Sequence, residues 1–328
     1  MPREIVACEI GRLRELGVEI LTDHLIGRTL SVEELLSRFD AVFIGTGAGH
    51  PVMLAVPGED LKGVYTANEF LIRINLMHAN EFPLHPTPVR LGENVAVIGA
   101  GNTAMDAARV AVRLGARNVY LVYRRGRKDM PARREEIDNA AEEGVQFLDF
   151  TTPVELKGDQ NGFLKSVVCV KTEYFGEPDP ADAQKRRSVR EIRGTKFDLE
   201  VDAVINALGF EVNPLIPQTT PALKTGRKNV ILADEFGRTS LDRVFAGGDA
   251  ATGAPPSSAL WARASALPRL FMPCCRLPAR SPRHPHPRNQ FFKTSLNRLK
   301  PERRTRAHEL ICAGHGVHLQ AALTPNTG

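Results

Sequence analysis

Asn94-Val-Ala-Val-Ile-Gly-Ala-Gly-Asn-Thr-Ala-Met-Asp-Ala-Ala-Arg109, with its continuation Val119-Tyr-Leu-Val-Tyr-Arg-Arg125, decides how this chain is read. The apolar run Val95 to Ile98 is short enough for a buried parallel strand. Gly99-x-Gly101-x-x-Ala104 follows, then a helical pattern from Met105 to Leu114 that stops at Gly115. A second apolar run, Val119 to Tyr123, ends in Arg124 and Arg125. This strand, turn, helix, strand unit carries a dinucleotide fingerprint at its first turn. Gly99 lets the chain turn off the strand. Gly101 lets backbone approach a pyrophosphate, and Ala104 lets the helix lie close to the sheet. The first amides of the helix, with Asn102 and Thr103 among them, face an anion with the helix dipole behind them. An acid after the second strand would hold the ribose 2′-hydroxyl of NAD. Arg124 and Arg125 instead suit a 2′-phosphate, so the expected ligand is NADP(H). The bland alternative is a tight turn followed by two solvated arginines, and the flanking strands and helix favour the nucleotide.

A length of 328 residues is enough for about two domains. The 42% hydrophobic and 25% charged fractions are ordinary for a soluble protein. No apolar run reaches the ~20 residues of a membrane span. The opening Met1-Pro-Arg-Glu4 is no secretory signal, and a cytoplasmic location with no membrane partner is expected. Five scattered cysteines give neither a disulfide framework nor a zinc motif. The formal charge of +5 conceals an asymmetry. From Pro255 onward there are 12 Lys/Arg against 2 Asp/Glu, which leaves 31 against 36 before it. The body is mildly acidic and the tail basic.

Arg3 to Leu16 reads as a helix with Ile5, Val6, Ile10, Leu13 and Leu16 near one face and Gly17 as its stop. A strand is expected at Val18–Leu21. Ser31-x-x-Glu34 is a capping box for a helix to about Arg38. Asp40 to Ile44 reads as a buried strand that enters Gly45-Thr46-Gly47-Ala48-Gly49, either a plain loop or a ligand-lining exit. Thr66-x-x-Glu69 caps a helix over about Ala67 to His78, and the prolines of Pro83 to Pro88 mark an expected domain boundary. Beyond the fingerprint, a charged helix is expected over Met130 to Gly144 and a strand over Val145 to Phe150. A hairpin joins Val154–Leu156 to Leu164–Thr172 through Asp159-Gln-Asn-Gly162. Residues 176 to 195 read as a mobile loop. Strands are expected at Asp198 to Leu208, Asn229 to Ala233 and Val244 to Ala246, the last entering Gly247-Gly248-Asp249. Alternating strands and helices with a β-hairpin excursion predict an α/β fold with mainly parallel sheets.

Several stretches together resemble the small-subunit family of glutamate synthase and its FAD- and NADPH-dependent relatives. They are Ile44-Gly-Thr-Gly-Ala48, Val56-Pro-Gly-Glu59, Tyr65-Thr-Ala-Asn-Glu-Phe70, Gly99-Ala-Gly-Asn-Thr-Ala-Met-Asp106, Val122-Tyr-Arg-Arg125, Met130-Pro-Ala132 and Phe245-Ala-Gly-Gly-Asp249. The resemblance covers residues 1 to 254. It implies a Rossmann-like, three-layer FAD/NAD(P)-binding fold with an NADPH domain inserted into a split flavin domain. Flavin-domain segments would lie at 1–88 and 210–254, and the NADPH domain at 89–209. It further implies that Gly99, Gly101, Asn102, Thr103 and Ala104 hold the pyrophosphate region and Arg124 and Arg125 the 2′-phosphate. Gly45, Thr46 and Gly47 would lie against FAD, and Asp249 would bind its ribityl chain beside Gly248. Read without the family, Asp249 is equally a helix N-cap or a turn residue. The implied activity is hydride transfer from NADPH to FAD, with electrons passed on to an iron–sulfur or glutamate synthase large-subunit-type partner. Positioning two ring systems needs no general acid or base, so no catalytic side chain is assigned. The Cys-x4-Cys pair of disulfide reductases is absent.

Two departures from the family are expected to matter. Relatives carry an iron–sulfur domain and a first GxGxxG unit for the ADP half of FAD, and no such fingerprint precedes Gly45. After the Gly-Gly-Asp segment relatives continue into a helix reading Ala-Thr-Val-Ile. A one-base shift of frame turns such a run into Pro-Pro-Ser-Ser, the sequence at Pro255–Ser258, so residues 255 to 328 read as a frameshifted, low-order tail. The alternative function is therefore an NADP(H)-binding remnant without turnover. The tail's arginines, lysines and histidines with Phe291 and Phe292 are read as a solvated charge run, with no specific nucleic acid bound. Cys274 and Cys275, adjacent in sequence, do not make a metal chelate with His284 and His286.

Overall fold

A computed structural model of the chain describes residues 3–176 and 187–253. The expected tail and half of the expected mobile loop, residues 177–186, lie outside these residues. Among the described residues two compact units emerge, one formed by 3–49 with 212–253 and the other within His50–Glu211, so the second is inserted in sequence between the halves of the first.

The discontinuous unit opens with α1 (Arg3–Glu15), which ends at Gly17 in a Schellman motif: Val18 N–H donates to Leu13 O and Gly17 N–H to Arg14 O. The face expected to be buried is not. Ile5, Val6 and Leu16 are 50%, 38% and 47% exposed. Val18–Leu21, expected as a strand, pairs with no other strand among the described residues. Helix α2 (Val32–Arg38) begins at the capping box as read. Glu34 N–H donates to Ser31 Oγ at 3.1 Å, and Ser31 N–H to Glu34 Oε2 at 2.7 Å. β1 (Val42–Ile44) then leads into the glycine-rich loop.

The inserted unit contains β2 (His50–Pro51), β3 (Val64–Thr66), α3 (Ala67–Asn75), β4 (Asn94–Ile98), α4 (Asn102–Arg113) and β5 (Asn118–Val122). They are followed by α5 (Arg134–Glu142), β6 (Gln146–Leu148), β7 (Thr151–Gly158), β8 (Leu164–Phe175), β9 (Ser188–Glu191), β10 (Phe197–Glu200), β11 (Ala203–Asn206) and β12 (Phe210–Glu211). Five strands form a parallel sheet in the order β3-β11-β4-β5-β6. The four strands β7 to β10 form an antiparallel sheet around β8.

Alternation along β4 shows how the layers stack. Val95 and Val97 enter a core with Phe70, Met105, Ala107, Ala108, Ile137 and Ala140 from α3, α4 and α5. Ala96 and Ile98 face the opposite way, into a core with Leu156, Leu164, Val167 and Cys169 of the antiparallel sheet. The unit is thus helices, parallel sheet and antiparallel sheet in three layers, and β4 is fully sandwiched.

This packing explains where the boundaries depart from expectation. The compact unit starts at His50, not 89, because β3 and α3 belong to its sheet and core; the proline-rich connector therefore lies inside it. The single strand expected over Asp198 to Leu208 is two strands in two sheets. Asp202 makes the break: its Oδ2 accepts from Glu93 N–H at 2.8 Å and Asn94 N–H at 2.9 Å, which fixes the start of β4. Ser188–Glu191, expected in a mobile loop, is a strand paired with β8. The helix expected from Met130 starts only at Arg134, since Met130 and Arg133 hold extended backbone. The hairpin turn forms as read, with Asp159 Oδ1 accepting from Asn161 and Phe163 N–H.

The chain returns to the discontinuous unit through α6 (Leu215–Thr219), β13 (Val244–Ala246) and α7 (Asp249–Thr252). The strand expected at Asn229 to Ala233 is reduced to one bridge, Ile231 to Thr225. β13 pairs in parallel with β1, Ile44 opposite Ala246, over a core of Ile26, Val32, Leu35, Ile231 and Val244. Among the described residues no helix is long and apolar enough to cross a membrane.

Candidate functional site

In the inserted unit the fingerprint turn and the arginine pair sit at the ends of adjacent parallel strands. Ile98 is in register with Val122, and Gly99 N–H donates to Val122 O at 3.0 Å. Ligands of parallel α/β sheets bind beyond the carboxyl ends of strands, and this edge has that geometry. Gly99 and Gly101 do different jobs in it. Gly99 has φ +131°, and a Cβ there would lie 2.4 Å from Ala207 O. It must be glycine for the fold itself. Gly101 has φ −80° in extended backbone, and a Cβ there meets nothing within 4 Å. Its missing side chain leaves space that the protein does not fill.

Gly101 is the N-cap of α4 and supplies no side-chain cap, so the leading amides of a twelve-residue helix have no capping side chain at Gly101. Ala104 is fully buried, and its single methyl sets how closely α4 lies on the sheet. Asn102 and Thr103 are half-buried in the first turn. Asn102 Oδ1 accepts from Arg133 N–H at 2.9 Å and Ala100 O accepts from Ala132 N–H at 3.2 Å. The Met130-Pro-Ala132 segment is thereby strapped across the glycine turn. Nothing in their sequence spacing links the two motifs.

The two arginines diverge. Arg124 is exposed, whereas Arg125 is 7% exposed and its Nε donates to Arg187 O at 2.8 Å. The loop that carries them is held from β8, a partner no local pattern announces. Thr172 Oγ1 donates to Arg124 O at 2.8 Å, Tyr174 OH bonds the Asp129 carboxylate, and Tyr123 OH donates to Asp129 O at 2.8 Å. Burial, then the Asp129 carboxylate, pushes the Tyr174 phenol up, so it stays a neutral donor.

In the discontinuous unit, β1 and β13 bring two distant loops together. Gly247 N–H donates to Ile44 O at 3.2 Å, so Gly45-Thr46-Gly47 and Gly248-Asp249 leave the same end of a parallel pair. Gly47 and Gly248 adopt φ +67° and +61°, and a Cβ on either meets nothing within 4 Å. These open, side-chain-free surfaces fit close approach by a flat group. At Gly45 a Cβ would lie 2.9 Å from the Phe43 ring, so that glycine serves packing. Gly248 is the N-cap of α7 and Asp249 its first residue, which removes the N-cap reading of Asp249.

Cys169 is buried among the strands, and burial pushes its thiol up to about 12. It offers no thiolate for dithiol chemistry.

The chain has relatives among known proteins. A family described as pyridine nucleotide-disulphide oxidoreductase matches residues 4–266. A glutamate synthase [NADPH] small chain from Halomonas elongata is 38% identical over 245 residues, covering 73% of this chain and 50% of its own length. An NADPH-Fe(3+) oxidoreductase subunit beta from Geobacter sulfurreducens is 35% identical over 277 residues, covering 77% of this chain and 39% of the relative. The chain thus spans about half or less of the length of these curated relatives. Among solved structures, FprA of Mycobacterium tuberculosis in complex with NADPH has the same fold, with a TM-score of 0.58 at 20% identity, covering 76% of this chain and 68% of that one.

Proposed function

This chain belongs to the pyridine nucleotide-disulphide oxidoreductase family, and on that premise we propose that it binds NADP(H) and FAD as part of an NADPH-dependent flavin oxidoreductase. The observation that carries this is the shared strand end of the inserted unit, where an unfilled space at Gly101 lies beside the loop bearing Arg124. The amides of Asn102 and Thr103 bind the pyrophosphate, and Ala104 keeps them close to the sheet. Arg124 pairs with the 2′-phosphate, and Arg125 holds its loop through Arg187 while adding positive charge.

Gly45, Thr46 and Gly47 with Gly248 form the backbone surface for FAD, and Asp249 accepts from its ribityl hydroxyls. A bound FAD would supply a hydride acceptor for the nicotinamide and single-electron release to a partner. The chain supplies binding and orientation; no side chain is required to move a proton. Relatives named as a small chain and as a subunit beta support a protein partner, which we take to be an iron–sulfur or glutamate synthase large-subunit-type acceptor.

The test is a purified chain assayed for bound flavin and for reduction of an artificial acceptor by NADPH. Flavin absorbance with NADPH-dependent reduction is expected. NADPH binding without flavin would restrict the function to nucleotide binding, and absence of NADPH binding would remove the proposal.

A further inference from the structure

His78, Glu81 and His85 lie outside every segment assigned above, on the loop that follows α3. The short 3₁₀ turn Ala79–Glu81 has about three residues per turn, which brings positions 78 and 81 to one side. Backbone bonds fix the rest. Glu81 N–H donates to His78 O at 2.9 Å, Leu84 N–H to Glu81 O at 2.8 Å, and Thr87 Oγ1 to Met77 O at 2.7 Å.

The side chains then converge. His78 Nδ1 lies 3.3 Å from Glu81 Oε1 and His85 Nε2 lies 3.4 Å from Glu81 Oε2. The carboxylate therefore bridges one nitrogen of each imidazole, with one oxygen toward each. The rings stack with centroids 4.9 Å apart and planes 25° apart, and the donor atoms all lie within 4.8 Å of one another. These N···O separations are longer than the ~2.7–3.2 Å of a good N–H···O bond. The two separations run to different carboxylate oxygens, so one ion held by both nitrogens and a carboxylate oxygen at ~2.0–2.1 Å requires the partly exposed rings to turn out of their stack, which their place on the loop allows.

We propose that His78, Glu81 and His85 form a three-ligand site for a divalent transition metal, with Zn2+ as the ion its donors favour. Two imidazole nitrogens disfavour Mg2+ and Ca2+, which seek oxygen. The side chains are 33%, 45% and 41% exposed, so the fourth position faces water and the metal enters without rearrangement of the core. Bound metal clips residues 78 and 85 across the loop. The competing account of the cluster is two His–Glu ion pairs and no metal.

The two accounts separate in a Co2+ titration of the full chain, read by visible absorption, followed by Zn2+ competition. Because His284 and His286 also offer imidazoles, H284N/H286N serves as a control. Wild type and H284N/H286N should share a site that H78N/H85N lacks, a loss of about one equivalent, and E81Q should weaken it about tenfold or more. Zn2+ should raise the melting temperature of the wild type and not of H78N/H85N. These substitutions are on an exposed loop, and circular dichroism confirms that the variants fold. Equal Co2+ stoichiometry and affinity in wild type and H78N/H85N overturns the site, as does loss of all binding in H284N/H286N.

Discussion

The two glycines of the fingerprint make a sharp test, because the same Gly→Ala change is expected to do opposite things two residues apart. At Gly99 the new Cβ lies 2.4 Å from Ala207 O and 2.9 Å from Ala207 C, in backbone at φ +131°. Backbone strain of this type costs ~1–3 kcal/mol. Relieving the clash moves Ala207, whose N–H donates to Ile98 O at 2.8 Å, and a lost hydrogen bond adds about 1 kcal/mol. The total is ~2–4 kcal/mol, or a drop in melting temperature of roughly 5–15 °C for a unit of this size. At Gly101 the Cβ enters open space in ordinary extended backbone, and the only protein cost is a poorer N-cap, at most ~1 kcal/mol. Its effect falls on ligand. A methyl between the turn and the pyrophosphate forfeits charge-assisted bonds worth ~1.5–3 kcal/mol, about a 10- to 100-fold loss of NADPH affinity. Thermal melts with and without NADPH, together with calorimetric titration, read both quantities. Gly101→Ala binding NADPH as the wild type does, or Gly99→Ala melting unchanged, refutes the division of labour.

Arg109 joins α4 to α5 through Glu136 at 2.7 Å and Glu143 at 2.8 Å, and Arg109→Met should cost ~1–3 kcal/mol at neutral pH, measured by urea unfolding. The hydrogen bond from Arg113, with help from Arg109, holds the Glu143 carboxyl below its ordinary value. That contribution is fully present above the unfolded glutamate pKa of ~4.3 and is lost as pH falls through the lower folded value, so the difference between wild type and variant should shrink in that acid range. A difference that stays constant down to pH ~3 contradicts it. Cys169, with its thiol at about 12, is about one part in ten thousand thiolate at pH ~8, so peptide mapping after native alkylation should find Cys8 modified and Cys169 not. Rapid native labelling of Cys169 contradicts its burial between the sheets.

What local sequence makes legible here is what neighbours in sequence decide. The capping box at Ser31, the Thr66 cap, the Asp159 turn and the strand-turn-helix at Gly99 all rest on contacts within a few residues, and each forms. Periodicity finds α1 but not whether anything covers its apolar face. A run of β-branched residues cannot show that Asp202 splits it between two sheets. The support of the arginine loop by Thr172 and Tyr174 joins residues more than forty positions apart, and the meeting of the Gly45 and Gly248 loops depends on pairing of β1 with β13 across the inserted unit. Arg124 and Arg125 look equivalent in sequence, and only packing separates the exposed one from the one tied to Arg187.

Through Arg124, this strand end is expected to select a nucleotide with a 2′-phosphate. Titrating NADPH and NADH against wild type and Arg124→Glu measures it directly. The wild type should prefer NADPH, and the substitution should abolish or invert that preference, with an affinity loss for NADPH of about tenfold or more and little change for NADH. An unchanged preference for NADPH in Arg124→Glu would contradict the account.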